Sequence, residues 1–360
     1  MPYTNIDDPS AYFQIALYTG NGTGQTITND GNSDLQPDFL WFKNRDETVS
    51  NILWNSNIGI TKFLVSNLTS AEFTNVSGYE LTSFNTDGFG LGAHNNAGIN
   101  QSSDYTYVCW QWKANAGSTS SNTAGGTTTT VQANQDAGFS ILTWTGNGAT
   151  TTLGHGLGVE PEVIILKARG TTSNWAVYHK DAGPAVSQAS YNVATYLDLP
   201  DATGIASNSW GTAASDINSN TFYLKYWFNY NTTNVAYCFA SKQGYSKFGR
   251  YVGNGNGDGQ FIYTGFKPAF VMVKRSDSAG SWFILDTKRS PFNLADNYLS
   301  PSANSAESNY LSAFQLDIVS NGFKLRTSYA ETNASGGSYI YMAFAENPFT
   351  TSTGIPTTAR

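Results

Sequence analysis

Hydrophobic and polar positions fall along this chain in short runs of strand-forming residues, separated by Gly-, Asn-, Ser- and Thr-rich turns. Three runs share one frame: Pro37-Asp-Phe-Leu-Trp-Phe-Lys43, Pro161-Glu-Val-Ile-Ile-Leu-Lys167 and Pro268-Ala-Phe-Val-Met-Val-Lys274. Each begins with Pro, which lacks an N–H donor and is tolerated at the first residue of a strand. Each then places apolar side chains on consecutive positions, so both faces of the strand are expected to be covered. The pattern predicts a central strand at each site, with the terminal lysine carrying its amine past the core edge into water.

Other landmarks recur in the same order. A Gly-Asn-Gly loop precedes each run, opening at Gly20, Gly146 and Gly253, and a Trp follows at Trp54, Trp175 and Trp282. Next come an aromatic–Leu pair (Phe63-Leu64, Tyr196-Leu197, Tyr298-Leu299) and a Phe-x-Leu (Phe89, Phe222, Phe323). An Asn follows (Asn100, Asn231, Asn333), then a closing strand around Cys109, Cys238 and Ala343. Repetition at this period marks repeated structural modules. Many short β-branched and aromatic runs between turn signals indicate an all-β fold of three tandem β-sandwich units. The units are placed at 12–114, 137–243 and 245–350. Between the first two, residues 115–136 read as a Gly/Ser/Thr linker. Units two and three join with almost no spacer, which suggests rigid packing. Residues 1–11 and 351–360 read as tails able to reach a neighbouring subunit. Helical signal is confined to single-turn candidates at Leu68–Glu72 and Asn304–Glu307, the first resembling a capping box.

Composition narrows the class further. Charged residues are 12% of the 360-residue chain and aromatics 14%, with a net charge of −7. The aromatic content argues against disorder. With no Lys/Arg cluster, an electrostatic nucleic-acid surface is not expected. No stretch approaches the roughly 20 apolar residues of a membrane helix. The N-terminal residues form no signal peptide. Cys109 and Cys238 hold equivalent places in separate units and are read as small buried side chains rather than a disulfide pair.

Catalytic chemistry is hard to assemble from these residues. His94, His155 and His179 form no metal-binding spacing, no Gly-x-Ser-x-Gly elbow occurs, and no nucleotide loop leads from a strand into a helix. The paired carboxylates of a strand-borne glycosidase are likewise missing. No enzyme activity, cofactor or metal is therefore expected. Gly-Asn-Gly loops supply positive φ for tight turns; Gly255–Gly259, with Asp258, is the one loop with a metal-binding alternative. The recurring tryptophans are read as core. The aromatics Trp210, Tyr226, Trp227 and Tyr230 do not recur. Strand alternation through Tyr223–Phe228 would expose some of them, giving a partner or glycan surface, or a buried contact between units two and three.

The motifs Tyr18–Gly22, Pro37–Arg45, Asp87–Leu91 and Tyr107–Lys113 together resemble a family of repeated β domains in bacteriophage virion proteins, especially of marine phages. Unit two departs most, with Asn220-Thr221 where Asp-Gly would precede Phe-x-Leu. The resemblance implies jelly-roll or lectin-like sandwiches in a tail-fibre or capsid-decorating component. It implies other virion proteins as partners and a homo-oligomer, a trimer being favoured. The chain would be made in the host cytoplasm and released by lysis in the virion. A host-surface glycan is the alternative ligand.

Overall fold

A computed structural model describes residues 3–75, 80–93, 98–101, 104–183, 192–205, 209–309 and 313–357. The chain is nearly all β, and every pair of named strands among the described residues is antiparallel; the isolated bridge between Thr127 and Leu153 is parallel. The first stretch contains β1 (Phe13–Thr19), β2 (Gln25–Ile27), β3 (Phe39–Asn44), β4 (Ile52–Asn55) and β5 (Lys62–Val65). It continues through β6 (Phe73–Thr74), β7 (Leu81–Phe84), β8 (Phe89–Leu91) and β9 (Thr106–Trp112). The second contains β10 (Ser120–Asn122), β11 (Thr129–Asn134), β12 (Phe139–Thr145), β13 (Thr151–Gly154) and β14 (Val163–Ala168). After these come β15 (Ala176–His179), β16 (Val193–Tyr196), β17 (Gly204–Ile205), β18 (Thr221–Leu224) and β19 (Thr233–Phe239). The third contains β20 (Ser246–Val252), β21 (Phe261–Tyr263), β22 (Phe266–Arg275), β23 (Trp282–Asp286) and β24 (Tyr298–Leu299). It ends with β25 (Leu316–Val319), β26 (Gly322–Leu325), a helical turn α1 (Ala330–Asn333) and β27 (Ser338–Pro348).

One strand order recurs in the large sheets. It is β1-β9-β3-β4-β5 in the first stretch, β12-β19-β14-β15-β16 in the second and β20-β27-β22-β23-β24 in the third. Strands β1, β12 and β20 thus lie beside the last strand of their stretch, with the Pro-initiated strand on its other side. A smaller sheet accompanies each: β2-β8-β7, β13-β18 and β21-β26-β25.

Alternation along the Pro-initiated strands explains why their apolar runs are continuous. Leu40 and Phe42 belong to a core confined to the first stretch, as Ile164 and Leu166 do in the second and Val271 and Val273 in the third. The intervening Phe39, Trp41, Val163, Ile165, Phe270 and Met272 all enter a single cluster drawn from the three stretches together. The large sheets therefore pack on one another around a shared centre. There Trp112, Phe239 and Phe344 occupy the same register place, opposite Phe39, Val163 and Phe270 respectively. Their ring centroids form a triangle with sides of 6.5, 5.5 and 5.9 Å. The edge-on tilts suit the ring quadrupoles.

Several expectations require correction. Residues 115–136 are no simple linker: β11 pairs along β12, and Val131 is buried against Leu142 and Leu153. Threonine and valine are good strand residues, and composition alone concealed that. The terminal tails fold onto their own chain. Ile6 enters the shared core, the Thr4 hydroxyl donates to Gln243 O at 2.7 Å, and Ser352 donates to Asp7. Pro37 and Pro161 lie two residues ahead of their strands, while Pro268 sits inside β22 at a register irregularity. Neither Leu68–Glu72 nor Asn304–Glu307 is helical.

Candidate functional site

The most elaborate chemistry lies where the three stretches join. Trp175 Nε1 donates to Val65 O at 2.9 Å, joining the second stretch to the first. Trp282 Nε1 donates to Tyr196 O at 2.8 Å, joining the third to the second. Asn51 Nδ2 donates to Ser300 O at 3.0 Å and Ala303 O at 2.8 Å, joining the first to the third. Trp54 is not the counterpart of Trp175 and Trp282 that its recurrence suggested. The register pairs Phe42 with Ile52, Leu166 with Ala176 and Lys274 with Trp282, so Asn51 is the counterpart of Trp175 and Trp282. Trp54 is buried in the first stretch's own core.

A backbone bond also repeats around the ring, with donor and acceptor in the opposite cyclic sense. Glu72 N–H donates to Arg169 O at 2.7 Å, Glu307 N–H to Arg45 O at 2.7 Å, and Thr203 N–H to Ser276 O at 2.9 Å. Two of these joints add an ion pair, Arg169–Glu72 at 2.7 Å and Arg45–Glu307 at 2.7 Å. Glu72, read as part of a capping box, and Glu307 are thus contacts between stretches. At the first–third joint, Arg289 also reaches Glu307 at 2.9 Å and Asp286 at 2.6 Å, while Trp110 Nε1 donates to Asp286 at 3.0 Å. Burial opposes the Glu307 charge, but the bonds from Arg45 and Arg289 outweigh it and hold the carboxyl below its usual range.

The lysines closing the three Pro-initiated strands are fully buried, against the expectation that they reach water. Each shares the strand face that enters the common core, and backbone carbonyls take its protons. Lys167 Nζ donates to Thr69 O at 2.7 Å and Ser173 O at 2.5 Å. Lys274 Nζ donates to Pro200 O at 3.2 Å and Arg275 O at 2.8 Å, and Lys43 Nζ to Asn44 O at 2.6 Å and Glu47 O at 3.2 Å. Burial lowers all three to about 8.

A buried asparagine fills each Gly-Asn-Gly loop. Gly22, Gly148 and Gly255 N–H groups donate to Asn100, Asn229 and Asn333 carbonyls at 3.1, 3.0 and 2.9 Å. The counterpart in the second stretch is therefore Asn229, two places before the expected Asn231. Those glycines share φ of 68°, while a Cβ on Gly20, Gly146 or Gly253 would lie within 2.3 Å of a carbonyl oxygen. Asp258 pairs with Lys324 at 2.7 Å and Arg326 at 3.0 Å, and no metal-binding cluster occurs among the described residues. His155 and His179 are buried, and burial pushes both down to about 4. His94 lies outside the described residues.

The four aromatics expected to form a surface separate. Strand β18 ends at Leu224 and a turn follows, so the alternation assumed through Phe228 does not continue. Trp210 is buried in the second stretch's own core, 5.5 Å from Phe228. Tyr226 is 51% exposed, and its ring stands edge-on to Trp227 at 4.9 Å. Trp227 is half-buried, with Lys225 Nζ 5.5 Å from its ring and its Nε1 donating to Ser209 at 3.1 Å. Tyr230 is half-buried in the following turn. Between the first and third stretches a groove of about 400 Å³ is lined by Asp8, Gln14, Asp30, Lys288, Pro291 and Glu346. Its Asp30 and Glu346 pair with Lys288 at 2.6 Å and Lys267 at 2.8 Å.

The model of a family described as Domain of unknown function (DUF7483) matches residues 8–348, spanning all three stretches. The chain belongs to the DUF7483 family. No curated protein and no solved structure matches it. The cyclic joints of this DUF7483 chain could not be read from one strand at a time, because donor and acceptor lie far apart in sequence. One signal was available: Pro-to-Trp spacing is longer around Trp54 than around Trp175 or Trp282.

Proposed function

We propose that this chain is a non-enzymatic structural protein of a bacteriophage virion, a tail-fibre, tail or capsid-decorating component that assembles with other virion proteins. In this reading three tandem β-sandwich units, jelly-roll or lectin-like, are each made from a large sheet and its small partner. The observation that carries the proposal is the cyclic set of joints through Asn51, Trp175 and Trp282. It supports a body built for durable packing. The strongly shifted lysines and histidines are engaged in buried hydrogen bonds and do not converge on a cleft. A homotrimer was favoured from the family resemblance. Three units closed within one chain supply a threefold-like shape without it, so other virion subunits are the preferred partners. Mass spectrometry and antibody labelling of purified particles test the proposal. The protein is expected at stoichiometric copy number on capsid or tail, and its absence from purified virions overturns the reading.

The exposed Tyr226, with Trp227 and Lys225, supports a second reading as a host-glycan contact. An aromatic face beside an amine suits a sugar ring and its hydroxyls. Glycan-array binding that is lost in Tyr226→Ala with the melting temperature unchanged is the expected result. No array signal from the intact protein refutes it.

A further inference from the structure

The second and third stretches differ at one pair of sheet edges. In the second, residues 120–134 cover both. Strand β11 adds to the free edge of β12, pairing Val131 with Leu142 and Thr130 with Thr143. The loop before it then crosses to the edge of β13. There Thr127 N–H donates to Thr152 O at 3.2 Å, and Thr129 Oγ1 donates to Gly154 O at 2.8 Å. Gly125 lies so close that a Cβ would stand 2.4 Å from Thr152 O.

In the third stretch the matching strands are β20 and β21. Phe323 and Lys324 pair with Ile262 and Phe261, as Phe222 and Tyr223 pair with Leu153 and Thr152. Phe261 and Tyr263 thus stand where Thr152 and Gly154 stand. Among the described residues no named strand pairs with the outer edge of β20 or β21; Lys242 bridges Ser246 and Ser241 Oγ accepts from Phe248 N–H at 3.2 Å at the start of β20, leaving the edge beyond Phe248 without a strand. Three apolar or aromatic side chains are exposed there: Val252 at 52%, Phe261 at 46% and Tyr263 at 48%. Lys247 Nζ caps the outward Tyr263 O at 3.0 Å and lies 5.1 Å from the Tyr263 ring. Exposed edges with large apolar side chains are sites of strand addition.

We infer that β20 and β21 form a docking edge for an extended segment of another polypeptide, seated as residues 120–134 are seated on the second stretch. The chain itself displays the chemistry of the occupant. It is an uncharged strand with a β-branched apolar residue against β20, a glycine where it crosses to β21, and hydroxyl residues beyond. Main-chain hydrogen bonds hold it, and the Phe261 and Tyr263 rings cover it. This inference does not depend on where in a particle the protein sits.

The probe is a synthetic peptide with the sequence of residues 118–136, added at millimolar concentration to the full chain and read by hydrogen–deuterium exchange. Exchange across residues 247–263 is expected to slow at least threefold. A peptide with Val in place of the glycine corresponding to Gly125 should give no protection. Val252→Asp and Phe261→Asp in the protein should abolish the effect while leaving the melting temperature within error, because both side chains are exposed. Unchanged exchange in the wild-type protein at saturating solubility, or equal protection by the Val-containing peptide, overturns the inference.

Discussion

Trp112 makes the sharpest test of whether three stretches share one core or merely touch. Its side chain is 2% exposed, and its ring lies 4.9 Å from Phe13, 5.2 Å from Phe39, 6.5 Å from Phe239, 5.8 Å from Phe270 and 5.5 Å from Phe344. Trp112→Ala removes roughly 150–200 Å² of buried apolar area, worth about 4–5 kcal/mol at ~25 cal/mol per Å². That agrees with the ~3–5 kcal/mol typical of such truncations. The consequence depends on cooperativity. Unfolding entropy is roughly 2.1 cal/mol/K per residue. If the whole chain melts as one unit, the loss lowers Tm by only about 5–6 °C. If the first stretch melts alone, with about 100 residues, its transition falls by roughly 20 °C and the others stay in place. Calorimetry with exchange-detected protection of each stretch separates these outcomes. The shared core predicts a single, slightly lowered transition and a parallel loss of protection in all three. Two separated transitions, with only residues 13–112 affected, would refute it.

Two further predictions concern buried polar groups. Lys43, Lys167 and Lys274 are each lowered from 10.5 to about 8 by burial. Between those values the unfolded chain binds more protons than the folded one, so stability rises with pH, by up to about 1.4 kcal/mol per pH unit for each lysine. Urea midpoints at pH 7.5, 8.5 and 9.5 should therefore climb in the wild type and climb less after Lys→Met at all three sites; parallel curves would contradict the burial assignment. Asn229 donates to Ala149 O at 2.7 Å and accepts from Trp144 Nε1 at 2.9 Å, so Asn229→Ala should cost about 2–3 kcal/mol by denaturant titration. Asn231 is exposed, and Asn231→Ala should stay within about 0.5 kcal/mol; the reverse ranking would restore Asn231 as the loop residue.

What could be read from sequence was local. Pro161 to Lys167 announces a strand because its side chains satisfy two burial faces at once, and both faces are occupied. The lysine ending that strand could not be placed the same way. Its acceptors include Thr69 O, in another stretch, and no property of residues near Lys167 specifies that carbonyl. Trp210 misled for a related reason: its ring is covered by Tyr178, Phe222 and Phe228, which come from three separate turns and strands. The 115–136 stretch failed through composition, since Gly-Ser-Thr wording describes a flexible spacer and an edge strand equally well.

The joints differ in side chain but not in main chain, and this says which part holds the ring closed. All three carry the bond from Glu72, Thr203 or Glu307 N–H to a carbonyl of the neighbouring stretch. Among the described residues only two carry an ion pair across the joint, and Asn51 replaces the indole at one. Ion pairs such as Arg169–Glu72, with only 14% and 16% of their side chains exposed, contribute modestly on balance because the cost of desolvating both charges offsets much of their attraction. A backbone donor left unpaired at a buried contact costs about 1–3 kcal/mol whatever the side chain. The second–third joint, through Thr203 and Ser276, carries no cross-joint ion pair among the described residues, yet it keeps the main-chain bond and the buried Trp282, whose apolar surface contributes without any charge to desolvate.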